Sequence, residues 1–129
     1  MESDSSIDVK IAITAFGNTE HTKVKNSIGV EETFWGENFF FSKKFDSTTS
    51  IEGQRVLFSV YDHNRLAADS LVGNYEVDMR RIYMEKNHCI EHMWLALTNI
   101  ERSFNEISGY LKISMCLIGE GDKSIELSV

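Results

Sequence analysis

The sequence predicts an antiparallel β-sandwich of about seven strands with one short helix. Three observations carry that expectation. Apolar residues alternate with period two over most of the chain. The alternating runs are rich in β-branched and aromatic residues and are bounded by Gly, Asn, Asp and Ser. A single stretch departs to helical spacing and stands between two of these runs.

In chain order, "DVKIAIT" sets Val9, Ile11 and Ile13 on one face and Lys10, Ala12 and Thr14 on the other. "HTKVKN" shows Lys23 and Lys25 on a common face. "ENFFFSKKF" puts Phe39 and Phe41 toward a core and Phe40 away from it. "QRVLFSVYD" alternates Val56, Phe58 and Val60, and "LVGNYEVDM" comes next as a short strand. "VDMRRIYMEKN" then spaces Met79, Ile82 and Tyr83 as on a helix near 79–84, with Asp78 placed to cap its N-terminus. "HMWLALT" and "GYLKISMCLI" complete the set, the latter with Leu111, Ile113, Met115 and Leu117 in strict alternation. Trp94, Phe58 and Phe41 are expected in the core. These elements define one domain over 7–118, followed by a polar tail over 119–129, "GEGDKSIELSV".

A chain of 129 residues suits one domain with a real core. Its formal net charge of −7 argues against nucleic acid, which demands a basic stripe, and against simple adsorption to an anionic membrane. No basic segment followed by an apolar one opens the chain, and no apolar run is long enough to span a bilayer. The expectation is a cytoplasmic protein whose two cysteines, Cys89 and Cys116, are free thiols.

Catalytic and metal chemistry find little footing. "HCIEH" brings His88, Cys89 and His92 together, but it leads into a strand, where residues four apart do not share a helical face. There is no G-x-S-x-G elbow and no glycine-rich phosphate loop, and no spacing ties His21 or His63 to a nucleophile. Lys23, Lys25, Lys43 and Lys44 are candidates for an anionic-lipid patch. Their plainer role is a solvated face that discourages edge pairing.

Three motifs, in order and spacing, then carry a family likeness. "TFWGENFFFSKKF" resembles the opening of a central C2-domain strand, with Trp35, Glu37, Phe39 and Phe41 matching and Gly36 where an Asn is usual. "VLFSVYDHNRLAADSLVGNYEVDM" resembles the C2 strand, calcium loop and next strand, closing on Val72–Gly73. "DSLVGNYEVDMRRIY", then Trp94, Leu95 and Leu97, then "GYLKISMCLIGEGD", is similar to the second C2 domain of ferlins. The resemblance covers Ile7 to Asp122. It implies a non-catalytic module of vesicle fusion and membrane trafficking, carried by a large tail-anchored parent at the membrane periphery. Its partners would be a protein or a phospholipid surface. It also implies eight strands, whereas only "MESDSS" precedes Ile7. The first strand is therefore expected to be missing, leaving an edge open to self-association or to the period-two tail residues Ile125, Leu127 and Val129.

In the calcium loop the resemblance assigns ligand positions to Asp62, Asn64 and Ser70, with Asp69 one place early and Asp8 in the companion loop. Calcium takes about six to eight oxygens and draws affinity from carboxylate charge, which is sparse here. The expectation is a degenerate loop, with Asp62 and Asn64 as weak metal positions at most and binding no tighter than about millimolar. The plainer role of Asp62 and Asn64 is to bond nearby backbone N–H groups and shape the turn. The alternative is a calcium-dependent phospholipid binder whose loop tip, Leu66 and Ala67, enters lipid beside the lysines.

Overall fold

The computed structural model describes residues 8–26, 35–45, 51–64, 66–101 and 103–119. The described strands are β1 (Asp8–Ala15), β2 (Asn18–His21), β3 (Lys25–Asn26), β4 (Arg55–Asp62), β5 (Ser70–Asp78), β6 (Cys89–Asn99) and β7 (Ser103–Cys116). A helix α1 (Met79–Tyr83) and a 3-10 turn (Lys86–His88) join β5 to β6. Every pairing is antiparallel, in the order β2-β1-β4-β5-β6-β7, with β3 also on β1. The ladder between β5 and β6 is a single bridge, Asn74 with Thr98. Two ladders, β1–β4–β5 and β6–β7, are thus joined by one backbone bridge, supported by Asn99 Nδ2 donating to Leu71 O at 2.8 Å. Val9, Ile11, Val56, Phe58, Val60 and Val77 of the first share one core with Leu95, Leu97 and Leu111 of the second. The antiparallel β-sandwich expected from the sequence is the fold found.

Strand β2 has no counterpart among the alternating runs of the sequence. Ala15 pairs with Asn18 across a two-residue turn whose residues, Phe16 and Gly17, both have positive φ, 52° and 77°. That combination is the turn whose twist suits a tight hairpin. The helix matches its sequence signals closely. The Asp78 carboxylate accepts from Arg80 N at 3.0 Å, and Met79 and Ile82 are fully buried. Tyr83, half exposed, stacks instead on His88.

Residues 35–45 require a first correction, because they form no ladder with any described strand. They are held through side chains: Trp35 Nε1 donates to Lys23 O at 2.9 Å, and Glu37 Oε2 accepts from Lys23 N at 3.0 Å. The expected alternation survives without the ladder. Trp35 and Phe41 pack on the core and Phe40 is 86% exposed, while Phe39, expected inward with Phe41, is only partly buried.

Trp94 is the second correction, being 53% exposed rather than in the core. Ile90 pairs with Met115 and Met93 with Ile113, so Glu91 and His92 together face Ser114. His92 takes φ 55°, and its N–H donates to Ser114 Oγ at 2.9 Å. This is a β-bulge, and one extra residue exchanges the faces of the rest of the strand. Leu95 and Leu97 turn inward, 1% and 2% exposed. Trp94 turns outward, and Lys112 from the opposite strand lies over its ring at 5.4 Å.

Cys89 and Cys116 are also corrected: they form a disulfide and are not free thiols. They are direct cross-strand partners, with Cα atoms 4.1 Å apart. The backbone bond from Leu117 N to His88 O lies just outside them, so they occupy a non-hydrogen-bonded pair, where strands approach most closely. The expectation for the tail at Ile125–Val129, and the strand said to be missing before Ile7, lie outside the described residues.

Gly73 marks a close approach between the two ladders. A Cβ there would overlap the Ser108 hydroxyl and lie 3.0 Å from Leu97 Cβ and 3.2 Å from Thr98 N. Ser108 is itself the extra residue of a second bulge, between Leu97–Gly109 and Thr98–Ile107. Glycine is required there by space.

The register predicts unequal costs for neighbouring residues. Leu95→Ala should cost about 2–5 kcal/mol, and Trp94→Ala no more than about 1 kcal/mol, as read from urea unfolding. Equal losses would return Trp94 to the interior. Gly73→Ala should cost about 1–3 kcal/mol, because Leu97 Cβ and the Thr98 backbone cannot rotate away. An unchanged denaturation midpoint would contradict that close contact.

Candidate functional site

The loop between β4 and β5 is closed at its base by the ladder partners Asp62 and Ser70. Asp62 also pairs with Val9 on β1, so three strands converge beneath the loop. One residue further along β5 the ladder is irregular. Tyr61 pairs with Leu71 and Val60 with Gly73, leaving Val72 as a bulge. Such bulges bend a strand end and re-aim the side chains beside it. Opposite the loop, β1 alternates, so that Lys10 stands between the buried Val9 and Ile11.

Asp69 gathers the loop around itself. Lys10 Nζ lies 2.7 Å from its Oδ2. His63 Nδ1 lies 3.0 Å from its Oδ1, and Asn64 N donates to the same oxygen at 3.1 Å. An ionised carboxylate only accepts, so the imidazole donates. The carboxyl of Asp69 is lowered from its ordinary 3.8 to about 2. The Lys10 hydrogen bond is the largest cause, followed by the Asn64 N–H, with the charges of Lys10 and His63 adding against a desolvation that opposes.

The other assigned positions are also engaged. Asp8 Oδ1 accepts from Asn26 Nδ2 at 2.6 Å, which draws that carboxylate toward β3. Asp8 O accepts from His63 N at 2.6 Å and ties the loop to the start of β1. Asn64 Oδ1 accepts from Leu66 N at 2.9 Å, a side-chain turn of the kind expected of it. Leu66 stands at the tip, 97% exposed. Ser70 is exposed and Asp62 partly buried. Lys23, Lys43 and Lys44 are exposed, and Lys25 is partly buried on β3. Among the described residues, no three His, Cys, Asp or Glu side chains converge to hold a metal ion.

Sequence reasoning places Asp69 one position out of register but does not find its partners. Lys10 is legible only as an outward residue between two core positions. His63 is legible as a titratable loop residue with no nucleophile in reach, and nothing in its spacing points to Asp69 as its partner. The approach of Lys10 to Asp69 needs the β1–β4 pairing, which no spacing along the chain encodes, whereas His63 meets Asp69 six residues away within the loop.

The carboxylate gives a signed pH dependence. The folded form holds the Asp69 proton less tightly than the unfolded chain. Its stabilising contribution is complete above about pH 4 and is lost as pH falls through about 2. An NMR titration of the Asp69 carboxyl carbon should give a midpoint near 2 in the native protein. In Lys10→Met the midpoint should rise toward 3.8. A midpoint unmoved by Lys10→Met would show that the lysine is not its main partner.

Comparison with known proteins places this geometry in a family. A family model described as the C2 domain matches residues 1–97. Myoferlin from Xenopus tropicalis is 27% identical over 119 residues, covering 92% of this chain and 6% of that protein. Human myoferlin is 27% identical over 121 residues, covering 94% of this chain and 6% of the relative. Mouse myoferlin is 29% identical over 107 residues, covering 83% and 5%. The chain therefore spans only a small fraction of the length of the curated relatives it matches. The matched family, the antiparallel sandwich and the loop set between β4 and β5 agree, and the chain belongs to the C2 domain family.

Proposed function

We propose that this chain is a non-catalytic C2 module of membrane trafficking and vesicle fusion that binds a protein partner or phospholipid without calcium. Likeness to myoferlins supports the trafficking setting, in a cytoplasmic domain held at the membrane periphery by a tail-anchored parent. The observation that carries calcium independence is the ion pair between Lys10 and Asp69. An ammonium already neutralises this carboxylate, and a divalent ion would have to displace it. Asp8 is likewise bonded to Asn26, and Asn64 is turned to its own loop backbone. Asp62 and Asn64 together offer a calcium ion too little charge for sensor-range affinity. With a net charge of −7, protein contacts are favoured over anionic lipid. Self-association through a sheet edge belongs to the same proposal, and light scattering tests it: a strictly monomeric protein would remove it.

Titration calorimetry with calcium should show no saturable heat in the micromolar range, with any binding at about millimolar or weaker. Sedimentation with phosphatidylserine-containing vesicles should be the same with calcium or with chelator. Micromolar binding that disappears in Asp62→Asn, together with calcium-driven sedimentation, would establish a calcium-dependent lipid binder instead.

A further inference from the structure

The end of the domain remote from the loop carries a covalent feature that the proposed binding role does not use. We propose that the Cys89–Cys116 disulfide is a redox-controlled clasp, opened by a dithiol reductant, that fixes where the chain leaves β7. It is independent of the calcium question.

The clasp joins the first residue of β6 to the last of β7. Both cysteines are partly exposed, so a thiolate can reach them. The segment entering Cys89 is unusual in its backbone. Asn87 and His88 take positive φ in succession, 59° and 54°, a sparsely populated region for residues other than glycine. Local contacts hold it there. His88 Nδ1 donates to Tyr83 O at 2.6 Å, and its ring stacks on Tyr83 with centroids 4.3 Å apart and planes 1° apart. His88 N donates to Glu85 O at 2.9 Å. On the other strand, Leu117 comes directly after Cys116, donates to His88 O at 2.8 Å and packs against the core. The disulfide therefore ties a left-handed backbone segment to the exit of β7. Without it, the strand ends are joined only by non-covalent contacts, among them the Leu117 bond, the His88 stack and the Ile90–Met115 pair. Two residues inward, the ladder is already interrupted by the Glu91–His92 bulge. Opening is thereby confined to the segment outside that bulge.

The chemistry balances. One thiolate of the dithiol attacks a protein sulfur, breaking the Sγ–Sγ bond and releasing the other cysteine as a thiolate. The second thiolate of the reductant then displaces the first cysteine from the mixed disulfide. The reductant leaves as its own disulfide, two electrons having passed to Cys89 and Cys116. The protein thiolates take up two protons on neutralisation.

The test uses the whole chain, equilibrated in glutathione redox buffer or in dithiothreitol, alkylated with N-ethylmaleimide and monitored by hydrogen exchange. The oxidised form should take no label and the reduced form two. On reduction, residues 84–90 and 115–119 should exchange about tenfold faster, while β1 and β4 keep their protection. The double variant Cys89→Ser/Cys116→Ser should stay folded and reproduce the reduced pattern in either buffer. Unchanged exchange on reduction would overturn the proposal. So would loss of protection throughout the domain, unfolding of the double variant, or resistance to dithiothreitol, each of which marks a fixed structural staple. Persistent labelling of both thiols in oxidising buffer would overturn it as well.

Discussion

The register of β6 against β7 is the constraint on which the rest of the domain depends. Strand side chains alternate with period two, so a single inserted residue decides which set of a strand faces the core. The Glu91–His92 bulge makes that decision. Beyond it, Leu95 and Leu97 enter the interior beside Val77 and Phe58. Before it, Ile90 is buried as well. Without the insertion, Ile90 and Trp94 would share a face and the two leucines would lie in water. The bulge costs a left-handed φ at His92, and the Ser114 hydroxyl accepts the N–H so exposed. Burial of two leucines, each worth about 1.5–3 kcal/mol, outweighs that local strain.

The same register brings β6 against β5 at Gly73. A side chain there would separate the ladders where Asn74 meets Thr98, their one bridge. Three irregularities therefore cooperate: Val72 bulged on β5, Ser108 bulged on β7, and glycine between them. Together they let the two ladders share a single core. They also set the end of β5 that supports the candidate loop.

Electrostatics completes what this packing starts. Because β1 alternates with Val9 and Ile11 inward, Lys10 is left on the loop side. Asp69 meets that ammonium, an imidazole N–H and a backbone N–H. The loop is thus organised by donors that belong to the chain. The Lys10–Asp69 pair is the interaction on which the proposed calcium-free mode of binding rests, and it links that proposal to the packing of β1.

The sequence by itself determined the local choices. Alternation and β-branched content specify the strands β1, β4, β5, β6 and β7. Asp78 before Met79 and Ile82 specifies the capped helix, and Asn64 specifies its turn. These depend on contacts within a few residues, where propensity and period act directly. Only the tertiary structure decided what depends on a partner strand. Burial along β6 needed the bulge opposite Ser114, which the apolar pattern of "HMWLALT" does not reveal. The disulfide needed Cys89 and Cys116, 27 residues apart, to fall in one cross-strand pair. The loop's charge balance needed Lys10 to cross from β1 to Asp69. The reason is common to all three: a side chain's face and its charge partners are fixed by strand register, and register is a property of pairs of segments.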